Sequence, residues 1–381
     1  MCANIFIGHH QFGLRVVGSW PGKSQLPGFY FAIGIMLFFL IFEILNITEV
    51  YHDLEELMDN LVSTIGVVLG LFKFITVRVK RRKLKTVINK IFDDWKTDSQ
   101  FVSEMMVKNC TRSQLVSKFV IFLYNSMNFT YFLRTVISHI FDEVQDRKFL
   151  AQVTFPIVDG RQTPLYEIII FFQFITASVC FNSQALVEGL LATLVLHACS
   201  KVDVVRREIL NFSTICKTDK NDKKDILKTL RKLSEEHFKF IEFSEDIQDI
   251  FSYVSFFHIF FLTLIQVVSG YMFIDGLERG TKPVNLIHYA ILTTSFLVSA
   301  GYYCIAGEYL TSQSEIIFNE LYNCYWYEFP SSYKKAICFM LLKARKPVKL
   351  TVGKFSTLSL IYLTSIMKTS FSYLSLVRAV R

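Results

Sequence analysis

The sequence predicts an all-α polytopic membrane protein with seven transmembrane helices, its N-terminus cytoplasmic and its C-terminus extracellular, and a short re-entrant or interfacial helix before the last span. Three observations carry that expectation. Hydrophobic residues make up 52% of the 381 and the mean hydropathy is +0.36, more apolar than an ordinary soluble domain. Seven apolar runs reach the roughly 20 residues needed to cross a hydrocarbon core. Lysine and arginine gather in alternate loops between those runs, as the positive-inside bias requires.

The spans are expected at Phe29–Ile47, Leu57–Val77, Val116–Ile140, Tyr166–Ser200, Ile250–Ile274, Asn285–Leu310 and Leu350–Arg378. Residues 1–28, read as a cytoplasmic N-terminus, show no apolar core with a small-residue cleavage site, so the first span is expected to serve as an uncleaved anchor. Residues 29–200 hold spans one to four. The fourth run is too long for one bilayer, and its end, with residues 201–249, should project into the cytoplasm as a helical anchor. Ile226, Leu230, Leu233, Phe240, Phe243 and Ile247 recur there near helical spacing among charges of both signs. Residues 250–310 carry spans five and six, and residues 311–349 a cytoplasmic anchor and interfacial helix. There Lys334, Lys335, Lys343, Arg345 and Lys346 surround Ile337, Met340 and Leu341 before Pro347 ends the helix. Residues 350–381 form the last span, which carries Ser356, Thr357, Ser359, Thr364, Ser365, Thr369, Ser370, Ser372 and Ser375. So many hydroxyls suit a helix bordering water or polar helices better than one facing lipid all round.

Orientation follows from the loops. Arg78, Lys80, Arg81, Arg82, Lys83, Lys85 and Lys90 follow the second span, while the loop after the first has Glu49, Asp53, Glu55 and Glu56 and no lysine or arginine. This asymmetry, rather than nucleic-acid binding, accounts for the formal charge of +8. Charges within or beside spans need partners or a polar pathway. Glu43 and Arg134, near the outer ends of their spans, are expected as one exposed pair. Glu188 and Glu308 lie toward the cytoplasmic ends. Lys368 sits mid-helix on the last span, where snorkelling and a place in a pore or vestibule both remain open.

Three helix faces offer a ligand cavity. Asn128, Tyr131, Phe132 and Thr135 on the third span, Ile169, Phe172, Gln173 and Thr176 on the fourth, and Tyr289, Leu292, Thr293 and Phe296 on the sixth, with neighbouring His288, each follow i, i+3, i+4, i+7 spacing. Ordinary helix packing and an apolar cavity with a few polar groups both fit such faces.

The run through Trp326-Tyr327, Pro330, Lys346-Pro347, Leu350-Thr351, Gly353-Lys354-Phe355, Ser359-Leu360 and Lys368-Thr369-Ser370 resembles the C-terminal signature of insect odorant receptors. The chain lacks the long insertion after the fourth span that typifies that family's shared co-receptor, and it departs from the ending of the related gustatory receptors. The resemblance therefore implies a ligand-tuning subunit that forms a heterotetramer with the co-receptor in the plasma membrane of a sensory-neuron dendrite. It implies an odorant-gated, non-selective cation channel with a pocket for a small volatile among the outer halves of these helices. It also implies a pore lined by the last helix, with Lys368 and Ser372 on its course and a hydrophobic constriction at Leu376, Ala379 and Val380. Leu376 and Val380 are i, i+4 neighbours, for which simple packing is the other reading.

No Walker sequence, G-x-S-x-G or H-E-x-x-H is present, so neither an enzyme nor a cofactor is expected. Two further classes give distinct expectations. A G-protein-coupled seven-helix chemoreceptor would have the opposite orientation, and a secondary transporter would carry internal repeats, which the two halves do not show.

Overall fold

Helix length, more than span count, governs the architecture. The computed structural model describes residues 8, 11–15, 18, 20, 26–96, 100–144, 147–155, 160–218, 223–324, 326–328 and 331–379. The helices are α1 (Leu26–Val50), α2 (Leu54–Val79), α3 (Arg81–Asp94), α4 (Gln100–Phe141), α5 (Leu165–Thr218), α6 (Lys223–Arg279), α7 (Pro283–Asn323), α8 (Ser331–Ala344) and α9 (Leu360–Ala379). A two-stranded hairpin, β1 (Thr351–Val352) and β2 (Ser356–Thr357), precedes α9. The 54 residues of α5 and 57 of α6 correspond to about 80 Å of helix each, far beyond a hydrocarbon core of about 30 Å. The expected anchor is thus the continuation of α5 and the start of α6, with no break before the fifth span. Among the described residues, five helices are long and apolar enough to cross a membrane: those carrying the first, second, fourth, fifth and sixth expected spans. The third expected span, and the seventh from Leu360 onward, are helical but lie outside that set; α4 carries Asn125, Asn128 and Arg134, and α9 carries Lys368 and a row of hydroxyls.

Local chemistry sets the helix ends. Asp53 caps α2, its Oδ1 accepting the Glu55 and Glu56 N–H groups at 2.9 and 3.3 Å. Gly280, at φ 68°, follows the end of α6, and Pro283 opens α7, where its missing N–H costs nothing. The basic stretch after the second span is mostly helix. Leu84, Val87, Ile88 and Ile91 of α3 are buried at i, i+3, i+4, i+7, while Lys83 and Lys90 reach Asp249 and Asp246 of α6 at 2.6 and 2.7 Å. The Lys83 hydrogen bond holds the Asp249 carboxyl below the usual carboxylate range.

The last span begins ten residues later than Leu350, because Gly353 and Lys354 adopt φ 55° and 69° and fold the chain into the hairpin. The hairpin is docked on α6. The Gly353 N–H donates to Ser252 O at 3.0 Å, and Gln248 Oε1 accepts the Thr351 N–H at 2.7 Å. A Cβ at Gly353 would also lie 3.0 Å from Phe256. Glu308 then takes a structural part, accepting the Leu360 N–H at 3.3 Å while Ser359 Oγ accepts that of Tyr362 at 3.1 Å. Gly307 permits this approach, since a Cβ there would lie 2.4 Å from Leu358 Cβ. At the centre runs α5, buried continuously from Ser183 to Val195 and packed against α1, α2, α4, α6 and α7.

Candidate functional site

A cavity of about 70 Å³ opens where α1, α2, α4, α5 and α7 meet beside the chain segment at Leu150 and Ala151. Of the residues expected at a pocket, Tyr131, Gln173, Thr176 and Phe296 line it. Phe39 and Glu43 from α1, Val62, Ser63, Gly66 and Val67 from α2, and Ala177, Cys180, Phe181 and Gln184 from α5 complete the wall. Its walls are apolar and aromatic, and most of its polar groups are committed to the protein. Gln173 accepts the Leu150 N–H at 3.2 Å and donates to Ala151 O at 2.7 Å. Thr176 donates to Phe172 O at 2.9 Å, Ser63 to Asn60 O at 2.9 Å and Gln184 to Gly66 O at 3.4 Å. Glu43 is different: it is 2% exposed, and its Oε2 has no partner among the described residues. A carboxyl oxygen left free in an apolar wall is a ready handle for a ligand's polar group.

Tyr131 is fixed from two sides. The Arg134 guanidinium lies 5.7 Å from its ring centroid, and His288 packs edge-on at 4.3 Å while its Nδ1 meets Thr130 Oγ1 at 3.1 Å. Arg134 in turn pairs with Asp59 at 2.9 Å, both side chains buried. This corrects the expected exposed pair of Glu43 with Arg134: both are buried, and the start of α2 supplies arginine's partner.

The other cavity candidates lie elsewhere. Asn128 donates to Ser178 Oγ at 2.9 Å, Phe132 packs on Phe174, and Thr135 donates to Tyr131 O. Ile169 belongs to a cluster with Phe39, Phe149, Val153 and Tyr166, and Phe172 points outward, 47% exposed. Tyr289 packs with Tyr271 and Met272, Leu292 lies in the main core, and Thr293 borders a different cavity. On α9, Lys368, Ser372, Leu376 and Ala379 are exposed along one face. Val380 lies outside the described residues, as does the side chain of Arg378.

Further along the same helices is a polar knot the sequence only half reveals. Glu188 accepts from Lys73 Nζ at 2.6 Å, Tyr124 OH at 2.5 Å and Ser299 Oγ at 3.2 Å, and Ser299 meets His258 Nε2 at 3.1 Å. It joins α2, α4, α5, α6 and α7. Lys73, in the apolar run Gly70-Leu71-Phe72-Lys73-Phe74, was the available signal, since a lysine there needs a buried partner.

The fold defines a multi-pass, nearly all-helical membrane protein with a small apolar cavity where five of its helices meet. The family profile described as 7tm Odorant receptor matches residues 53–371. The chain belongs to the odorant receptor family. Among Drosophila melanogaster proteins, it is 31% identical to odorant receptor 67b over 102 residues, 27% of this chain and 24% of the relative. It is 32% identical to odorant receptor 13a over 126 residues, 30% of this chain and 28% of the relative. The matched region thus spans about a quarter of each relative's length. The fold is similar to that of the insect olfactory receptor OR5 from Machilis hrabei in complex with eugenol, with a TM-score of 0.82 and 14% identity over 98% of each chain. A second structure of that receptor gives a TM-score of 0.78 at 15% identity, covering 99% of this chain and 98% of the other. At these identities the likeness is one of fold.

Proposed function

We propose that the chain is the odorant-binding subunit of a heteromeric, ligand-gated, non-selective cation channel. A small volatile binds the cavity at Tyr131, Gln173, Thr176, Phe296 and Glu43, and the pore opens at the last helix. The observation that carries this reading is the cavity itself: apolar, with Phe39, Tyr131, Phe181 and Phe296 on its walls and a Glu43 carboxyl oxygen that has no partner among the described residues. The shared fold with a receptor solved in complex with eugenol supports a small-molecule ligand, and a cavity of about 70 Å³ must widen to admit one of that size. The exposed row Lys368, Ser372, Leu376 and Ala379 supports a face of α9 that meets water or other subunits. A ring of apolar side chains at Leu376, Ala379 and Val380 would close the path by dewetting. A ligand opens it only by binding the open arrangement more tightly than the closed one.

On this reading the chain sits in the plasma membrane of a sensory-neuron dendrite with its N-terminus inside, and pairs with the family's co-receptor. The test is a volatile panel applied to cells expressing the chain with and without the co-receptor, as wild type and as Tyr131→Ala and Phe296→Ala. The expected result is a co-receptor-dependent current whose agonist ranking changes in both variants at normal surface levels. An unchanged ranking in both would remove the pocket assignment.

A further inference from the structure

We propose a second small-molecule site behind the last helix, where α6, α7 and α9 enclose a separate cavity of about 300 Å³. The ligand class is a neutral amphiphile: one hydroxyl on an apolar body of roughly ten non-hydrogen atoms, taking each as about the 30 Å³ of a liquid water. The walls are apolar, including Leu262, Phe273, Leu297 and Phe371, and no lining residue is charged. That excludes ammonium and carboxylate ligands, which would enter without a partner.

Two polar atoms on these walls need a partner. The Ser370 hydroxyl belongs to a residue only 7% exposed, and neither it nor the Gln266 Oε1 has a hydrogen-bond partner among the described residues. Both atoms are shielded from solvent, so each calls for a specific partner. A ligand hydroxyl can accept from Ser370 or donate to Gln266 Oε1. The nearby hydroxyls do not compete, because Thr263 donates to Ile259 O at 2.8 Å and Thr293 to Ser269 Oγ at 3.1 Å. The two cavities share no lining residue, so this site does not depend on the volatile-binding reading above. An occupant would rest against Met367, Ser370 and Leu374 of α9, opposite the exposed row at Lys368 and Ser372.

The test uses the purified full chain in lipid nanodiscs and a diazirine-bearing 1-octanol as photolabel, with adducts located by peptide mass spectrometry; no odorant response is needed. Adducts are expected within residues 262–274 or 366–374 and should be lost under excess 1-octanol. Ser370→Val should weaken competition by 1-octanol about two- to tenfold, the worth of one hydrogen bond, and leave competition by octane unchanged. A Cβ at Gly270 would meet Leu374 at an ordinary 3.7 Å, so Gly270→Ala should label as wild type, whereas Gly270→Leu fills the cavity and should lose these adducts alone. The proposal is overturned if adducts fall only on the first cavity or on lipid-facing residues, if excess 1-octanol does not remove them, or if Ser370→Val weakens octanol and octane alike. Should Gly270→Leu fail to assemble, the wild-type adduct map and Ser370→Val still decide.

Discussion

Replacing Lys73 by methionine isolates what the buried knot contributes. Lys73 and Glu188 are 0% and 1% exposed at the side chain and 2.6 Å apart, so the substitution leaves a carboxylate sealed among helices with its cation gone. Breaking a buried pair from one side costs about 3–5 kcal/mol. Glu188 keeps its hydrogen bonds from Tyr124 and Ser299, each worth roughly 1.5–3 kcal/mol to a charged group, which places the expected loss near the lower figure, about 3 kcal/mol. The assay is reversible unfolding in mixed detergent micelles. Lys73→Met with Glu188→Gln removes both charges while Gln keeps an acceptor for Tyr124 and Ser299. The double variant should therefore regain most of the loss and come within about 1–2 kcal/mol of wild type. A single variant losing under about 1 kcal/mol, or a double variant no better than the single, would refute the reasoning.

Gly307→Ala should cost about 1–3 kcal/mol in the same assay, because the added methyl would sit 2.4 Å from Leu358 Cβ and 2.6 Å from its carbonyl oxygen; wild-type stability would mean that the chain before α9 yields freely. Glu43→Leu, at unchanged surface level, should shift agonist ranking toward volatiles without a hydrogen-bonding group, and an unaltered ranking would show that the carboxyl does not meet the ligand. In the anchor, burial first and Lys343 second push the His237 imidazole down to about 4. The folded state thus holds it neutral. Its contribution is full above the ordinary value of 6.5 and is lost as pH falls through 6.5 toward 4. His237→Phe should flatten the unfolding midpoint across that window, and a wild-type-to-variant difference independent of pH would count against it.

The helices were legible because their apolar runs are long and the charges between them are grouped. The hairpin was not. Its strands are two residues each, too short for an alternating pattern, and only Gly353-Lys354 marked a turn within a run that otherwise continues into α9. The cavity was legible in part for a similar reason. Spacing tells which residues share a face, and it grouped Tyr131 with Asn128 and Gln173 with Phe172, but it does not give the sector toward which that face turns. Neighbouring helices decide that, so Gln173 points inward while Phe172, one residue away, is half-exposed. The walls from α1 and α2 are not legible in the sequence, where Glu43 reads as one half of a surface pair; the fold gives Arg134 to Asp59 and leaves Glu43 Oε2 without a partner among the described residues.

The central claim, that a volatile in this cavity opens an ion path without an intermediary, is tested most directly in excised membrane patches carrying the chain and the co-receptor, with no cytosol or nucleotide present. The account predicts that an agonist still evokes cation current within the patch and that Phe296→Ala changes which agonists do so. Loss of the current on excision, with recovery only when cytosolic transducers are restored, would contradict it.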